Sequence, residues 1–472
     1  MKYKACSQIQ NLGDDFYDFV KGAIYPKHVL RFRNNVWAAH VGLDELSVQA
    51  WEDHFARFKP LPDNIEKPLA MRYHGHQFDC YNPNLGDGRG FIFAQLRDLN
   101  DDRLLDLGTK GSGQTPYSRG GDGRLTLKGG VREVLATEML EGLGVYTSKT
   151  FSLIETGEDL IRPDEPSPTR SSIMFRLSHS HIRVGTFQYH FYKGNKEHIE
   201  TLIQFSIEHY FPYLKEFENK RLVFFREVSE RSAALVASWM VSGFVHGVLN
   251  SDNMIVTGES FDYGPYRFLP ILDPHFTAAY FDQTGLYAYG NQPTAVKKNV
   301  VRLAECLYQE PFPDEVMVVL DNFNNVYSHT LCEKFLRRLG VESINNQEDL
   351  VFMDMAFEFL EQSKVDYASF YFDWFGGMIS EQRAMQGKRK DFYQGKAFEG
   401  LKGYFKKYKE ASFVHLEHVY FSQDEPCSLL IDEIEEIWDA IEAEDDWKPF
   451  NEKIASIQEM GQVLSLGTFF KK

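Results

Sequence analysis

Cysteine is scarce in this chain. Its 472 residues hold five, Cys6, Cys80, Cys306, Cys332 and Cys427, odd in number, scattered, and with no Cys-x-x-Cys pair. That argues against a disulfide framework and against structural zinc, and it fits a reducing compartment. Basic residues also run short: 51 Lys and Arg stand against 68 Asp and Glu, a formal net charge of −17. Nucleic acid is not expected as the principal partner, because a phosphate backbone is bound by a basic surface. A local basic cleft is compatible with the negative total. No window approaches the ~18 consecutive apolar residues of a membrane span. The start, Met1-Lys-Tyr-Lys-Ala-Cys-Ser-Gln8, has no apolar run fit for a signal peptide. The expectation is a soluble, cytoplasmic, monomeric protein that binds neither nucleic acid nor membrane.

What is present is apolar and aromatic. Hydrophobic residues make up 43% and aromatics 15%, enough to bury a sizeable core and to exclude global disorder. The length suits a large two-lobed enzyme or two to three ordinary domains. The chain shows no internal repeat and no low-complexity block.

The most informative stretch is His246-Gly-Val-Leu-Asn-Ser-Asp-Asn253, followed by Asp262-Tyr-Gly264. A protein-kinase catalytic loop runs H-R-D-x-x-x-x-N, with a D-F-G segment after it. His246 and Asn253 keep that interval, but Val248 stands where the catalytic Asp belongs, and a carboxylate reappears at Asp252. Asn253 and Asp262 can offer oxygen ligands to a divalent cation that bridges nucleotide phosphates. The pattern retains the means of holding Mg²⁺ and ATP, while the base has moved.

Upstream, Asn82-Pro-Asn-Leu-Gly-Asp-Gly-Arg-Gly90 is a glycine-rich turn before a strand, Phe91–Leu96. Its bare N–H groups and Arg89 suit phosphate, although most such turns are simply tight hairpins. His74 and His76, with no nearby Cys or third His, read as structural rather than metal-binding. Leu104–Lys110 reads as a strand ending in lysine. The polar, glycine-rich run Gly111–Arg124 follows, and then a helix whose Val131, Val134, Leu135 and Met139 share a face. Lys110 and Glu133 can form the strand-lysine, helix-glutamate pair that orients phosphates in kinases. Val145–Ile154 and Ser171–Leu177 read as strands. Arg176 and Arg183 flank Leu177-Ser-His-Ser-His-Ile182, and their planar, permanently charged forks suit phosphate. Residues 1–60 read as an irregular leading segment with short helices at Val36–Val41 and from Leu43–Leu46. Residues 196–249, and the chain from 295 onward, read as helical. Asp432–Asp446 carries nine acids and no base, yet Ile434, Ile437, Trp438 and Ile441 keep helical spacing. That predicts an amphipathic helix with a solvated acidic face.

With these motifs in view, the chain resembles the selenoprotein O family of kinase-like AMP transferases. The likeness rests on Tyr73-His-Gly-His-Gln-Phe78, Leu85-Gly-Asp-Gly-Arg89, Lys110–Arg124, Arg132-Glu133, Ser180–Gly185, His246–Asn253, Asp262-Tyr-Gly-Pro265 and Gly290-Asn-Gln-Pro293. It is densest from about Pro68 to Leu307, and the last 150 residues match poorly by eye. The resemblance implies an α+β, protein-kinase-like two-lobed fold with an extended, mainly helical C-terminal region. The expected parts are an N-terminal extension (1–64), a small lobe (65–190), a large lobe (191–330) and a helical region packed on the large lobe (331–472). It also implies ATP bound inverted relative to kinases and AMP passed to Ser, Thr or Tyr hydroxyls of proteins, with UMP transfer as an extension. Asp252 would accept the proton. Asn253 and Asp262 would hold Mg²⁺ or Mn²⁺. Lys110, supported by Glu133, would contact phosphate together with Arg176 and Arg183, and Gly86, Gly88, Arg89, Asp122, Gly123 and Asp262 would complete the nucleotide pocket. The chain departs from the family where a redox-active Cys or selenocysteine often lies, since its last cysteine is Cys427. The alternatives are γ-phosphoryl transfer, against which Val248 speaks, and a non-catalytic nucleotide-binding scaffold, against which the retained polar residues speak.

Overall fold

Strand alternation in Leu104–Lys110 and Thr169–Ser178 builds the part of the molecule that carries the cationic side chains. In the computed structural model, which describes residues 2–163 and 165–466, the two strands pair antiparallel, with Met174 opposite Lys110 and Arg176 opposite Gly108. Side chains two apart on a strand share a face, so Lys110 and Arg176 project from the same side of the sheet. Neighbours of opposite parity, Leu105, Leu107, Phe175 and Leu177, go to the other side. There they pack with Trp51, Phe55 and Phe151 in one buried cluster.

Among the described residues the sheet has nine antiparallel strands. Its main path runs Tyr17–Phe19, Leu69–Met71, Ile92–Arg97, Leu104–Lys110, Thr169–Ser178, Lys149–Leu160, Val29–Arg33. Ala5–Cys6 and Leu125–Thr126 pair onto Ile92–Arg97 and Thr169–Ser178. The leading segment is therefore less irregular than expected: it supplies three strands to the sheet. Each has two to five residues, too short to show alternation in sequence. Its helices are Asn35–His40 and Val48–Phe55. The second starts after Leu46, not at Leu43, because Ser47 caps it by accepting from the Ala50 N–H.

Helix Leu127–Gly142 crosses the Lys110 side of the sheet, capped by Thr126. Downstream, helix Lys220–Ser242 is buried along most of its length and packs on Gln292–Tyr308 and Asp314–Arg338. It stops at Gly243, whose φ of 67° only glycine adopts without cost. The chain then enters a two-stranded ribbon, Phe244–Val245 with Arg267–Phe268, which brackets residues 246–266. The architecture is α+β.

The last two helices, Ile431–Glu444 and Lys448–Leu464, lie against helix Leu127–Gly142. The acidic face is not simply solvated: Glu435 pairs with Lys128, Glu433 with Lys453, and Asp445 with Arg31 and Arg170. Residues 467–472, in the terminal stretch where the family's redox residue was sought, lie outside the described residues.

Candidate active site

A lysine at the end of a buried strand needs a counter-charge, because an unpaired ammonium out of water is costly. Lys110 has two: Glu133 from helix Leu127–Gly142 and Asp262 from the loop after the ribbon's first strand. Arg176 Nη1 reaches the same Asp262 Oδ1 at 3.4 Å, and its guanidinium lies 3.6 Å over the Phe261 ring. Burial would push the Asp262 carboxyl up, but Lys110, Arg176, Arg183 and Arg89 outweigh it and hold the group well below the usual carboxylate range. Asp262 also has φ 65°, a left-handed conformation that costs a non-glycine residue energy and clusters at functional sites.

Arg183 is buried between the rings of Tyr73, 4.3 Å away, and Phe261, 5.0 Å away. Its Nη2 donates to Asp87 Oδ1 at 3.1 Å and its Nη1 to the Asp252 carbonyl at 3.0 Å. The arginine thereby fixes the backbone of the loop that carries Asp252.

Asp252 itself is buried, and its Oδ1 has no hydrogen-bond partner among the described residues. Burial lifts its carboxyl to about 6 against the pull of Arg183. The loop is held from several sides. Ser251 Oγ accepts from the His76 N–H at 2.7 Å, Asn250 Oδ1 accepts from the Phe78 N–H at 3.3 Å, and Asn253 Nδ2 donates to the Val248 carbonyl at 3.0 Å. His246 Nε2 meets the Phe261 carbonyl at 3.0 Å, which ties this loop to the segment of Asp262. Gly75 passes close beneath: a Cβ there would come within 2.9 Å of Asp252 Oδ1.

These groups open onto a cleft of about 580 Å³. Of the residues singled out in the sequence, Gly86, Gly88, Arg89, Lys110, Asp122, Gly123, Arg176, Arg183, Asp252 and Asp262 all line it. Glu133 stands behind Lys110, and Asn253 follows Asp252 in the loop, outside the lining. The two glycine-rich loops are stitched together, with Thr115 Oγ1 donating to the Asp87 carbonyl and Ser118 Oγ to the Gly88 carbonyl, each at 2.5 Å. Gly123, at φ 70°, lies so close to Gly113 that a Cβ would fall 2.2 Å from its carbonyl carbon. The Asp122 carboxylate is engaged by Arg162 at 2.8 Å.

Sequence reasoning missed Asp87, Tyr73 and Phe261, which hold Arg183, and Arg119, Arg124 and Arg162, which also line the cleft. Asp87 sits inside the Leu85–Arg89 motif, so its position was marked although its role was not. Seven cationic side chains line the cleft against four carboxylates, a basic pocket in a chain of net charge −17. His74 and His76 meet Tyr81 and Gln188, at 2.6 and 2.7 Å. Among the described residues no three His, Cys, Asp or Glu side chains gather as a metal cluster. Asn253 and Asp262 each carry a hard oxygen of the kind that Mg²⁺-type ions take beside phosphate and water. Among the described residues no helix is long and apolar enough to cross a membrane.

The sequence model of the family described as Protein adenylyltransferase SelO matches residues 1–458. A protein nucleotidyltransferase YdiU of Trichodesmium erythraeum is 43% identical over 463 residues, covering 95% of this chain and 97% of the relative. One from Synechocystis sp. is 42% identical over 471 residues, with coverage of 95% and 97%. One from Trichormus variabilis is 42% identical over 472, with coverage of 96% and 95%. This similarity defines an enzyme of the protein nucleotidyltransferase class. The chain belongs to the SelO family. The likeness is not confined to the middle of the chain: the family match runs through the C-terminal helices to residue 458.

Proposed function

We propose that the cleft binds ATP with Mg²⁺ or Mn²⁺ and passes AMP to a Ser, Thr or Tyr hydroxyl of a protein, releasing pyrophosphate. The observation that carries this reading is Asp252: a buried carboxylate with one unpartnered oxygen, on the wall of a cationic cleft, in a loop where Val248 replaces the kinase base. The description of the family and those of the relatives support it.

In this reading, strand Leu104–Lys110 and helix Leu127–Gly142 act as the small lobe and the 246–266 loops as the active edge of a kinase-like large lobe. The boundaries follow the sequence, 1–64, 65–190, 191–330 and 331–472, except that the last two helices serve the small lobe. ATP lies inverted, with its α-phosphate nearest Asp252. Asn253 and Asp262 Oδ2 would hold the divalent ion, which supplies charge neutralisation to the phosphates when bound. Lys110, Arg89, Arg176 and Arg183 offset charge that develops on the α-phosphate and the departing pyrophosphate. Asp252 takes the hydroxyl proton as the acceptor oxygen bonds to the α-phosphorus and the bond to pyrophosphate breaks. Its raised carboxyl, with a value near 6, suits a base that is ionised at neutral pH.

The test is stoichiometric. Purified protein with ATP, Mg²⁺ or Mn²⁺ and a protein acceptor should form one pyrophosphate per AMP adduct seen by mass spectrometry. Asp262→Ala should lose metal-dependent transfer while staying folded. Full transfer by that variant would remove Asp262 from the metal site.

A further inference from the structure

Helix Leu127–Gly142 carries Glu133, and Glu133 faces Lys110 across to the sheet. Something must set how far that helix stands from the sheet, because a ~1 Å misplacement of a positioning group can cost on the order of 100-fold in rate. The last two helices occupy its far side. Gly461 and Gly142 cross almost in contact: a Cβ on Gly461 would fall 2.9 Å from the Gly142 Cα, and one on Gly142 would fall 3.2 Å from the Ile457 carbonyl. Helix separation follows the size of the residues at the crossing, so two glycines allow the closest approach. Near the crossing, Gln458 Nε2 donates to the buried Glu138 Oε2 at 2.8 Å, and at the opposite end of the helix Lys128 pairs with Glu435 at 2.5 Å.

The same helical pair also grips the sheet. Between its two helices, Asp445 pairs with Arg31 at 2.9 Å and Arg170 at 2.7 Å, and Arg170 Nη1 donates to the Ile441 carbonyl at 3.0 Å. Arg170 lies on the strand next to the one ending at Lys110. The pair is therefore fastened both to the element bearing Glu133 and to the sheet bearing Lys110.

We infer that helices 431–444 and 448–464 are a built-in clamp that holds Glu133 on Lys110, and that Gly461 and Gln458 are positioning residues for nucleotidyl transfer. This rests on the reading of the cleft as the transfer site.

The test uses the full chain with Gly461→Leu, Glu133→Gln and the double variant. Amide exchange over residues 127–142 should speed up in Gly461→Leu while exchange in helix Lys220–Ser242 stays at the wild-type rate. Its kcat should fall on the order of 10- to 100-fold, with the double variant no slower than Glu133→Gln alone, because groups acting through one pair are not additive. Unchanged exchange over 127–142, or losses that multiply in the double variant, would overturn the clamp. A wild type that transfers no nucleotide would overturn the transfer reading instead, and exchange would still decide whether the helices hold 127–142. Should Gly461→Leu not fold, Gly461→Ala is expected to move both readouts the same way by less, and no movement would overturn the clamp.

Discussion

Two carboxylates ten residues apart in the sequence, Asp252 and Asp262, sit in the same cleft with opposite electrostatics. Asp262 is surrounded by cations that keep it ionised in spite of burial, while Asp252 is lifted toward neutrality by its burial. Environments that push two acids apart in this way suit them to different roles, in the proposed reaction a permanent charge for Asp262 and proton acceptance for Asp252. Asp252→Asn is expected to lower kcat by about 10²- to 10⁴-fold while nucleotide affinity, measured by fluorescence titration, changes little. A large loss of affinity with kcat retained would assign Asp252 to binding instead. Asp87 has a structural share in the site. Asp87→Ala leaves the buried Arg183 guanidinium without its carboxylate, and breaking a buried pair on one side costs about 3–5 kcal/mol. Urea unfolding is expected to show that loss, and no change in midpoint would mean that the Tyr73 and Phe261 rings suffice to hold Arg183.

At the scale of elements, helix Leu127–Gly142 joins the site to the remainder of the chain. Its Glu138 is buried, accepts from Asn34 and Gln458, and is lifted by burial to about 7. A carboxyl raised on folding is neutral in both states at low pH and becomes a liability as pH rises through the folded value. Glu138→Gln is therefore expected to raise the melting temperature at pH 8 and to leave it unchanged at pH 4. A gain of equal size at both pH values would show that ionisation is not the cause. The short strand Gly75–Gln77, which passes against Asp252, offers a steric counterpart. Gly75→Val would press on Asp252 Oδ1 and is expected to slow transfer at least tenfold, since precise placement is what such sites supply. Unimpaired transfer would show that the loop yields. Much of this was legible in the sequence. Lys110 and Glu133 stand on a strand and the helix that follows it, and Asp252, Asn253 and Asp262 lie within a dozen residues of one another, so both groups show in the local pattern. The Arg183 sandwich was not, because Tyr73 and Asp87 lie about 100 residues before Arg183 and Phe261 nearly 80 after it, and only the fold brings them together. The early strands escaped notice because two to five residues hold too little pattern. The clamp helices read as an acidic surface because their partners, Arg31, Lys128 and Arg170, lie more than 250 residues earlier in the chain.

At the scale of the molecule, a strongly acidic chain concentrates seven cations on one cleft. Such a pocket attracts a polyphosphate anion locally while the remaining surface repels it, and both effects weaken as salt shortens the Debye length from about 10 Å at 0.1 M to about 3 Å at 1 M. The identity of the transferred group decides the whole account. ATP labelled at the α-phosphate and ATP labelled at the γ-phosphate, each incubated with the protein, an acceptor and Mg²⁺ or Mn²⁺, separate the outcomes in a single gel. Label from the α position alone, lost in Asp252→Asn, is the predicted result. Label from the γ position alone would make the enzyme a protein kinase and contradict the inverted placement of ATP.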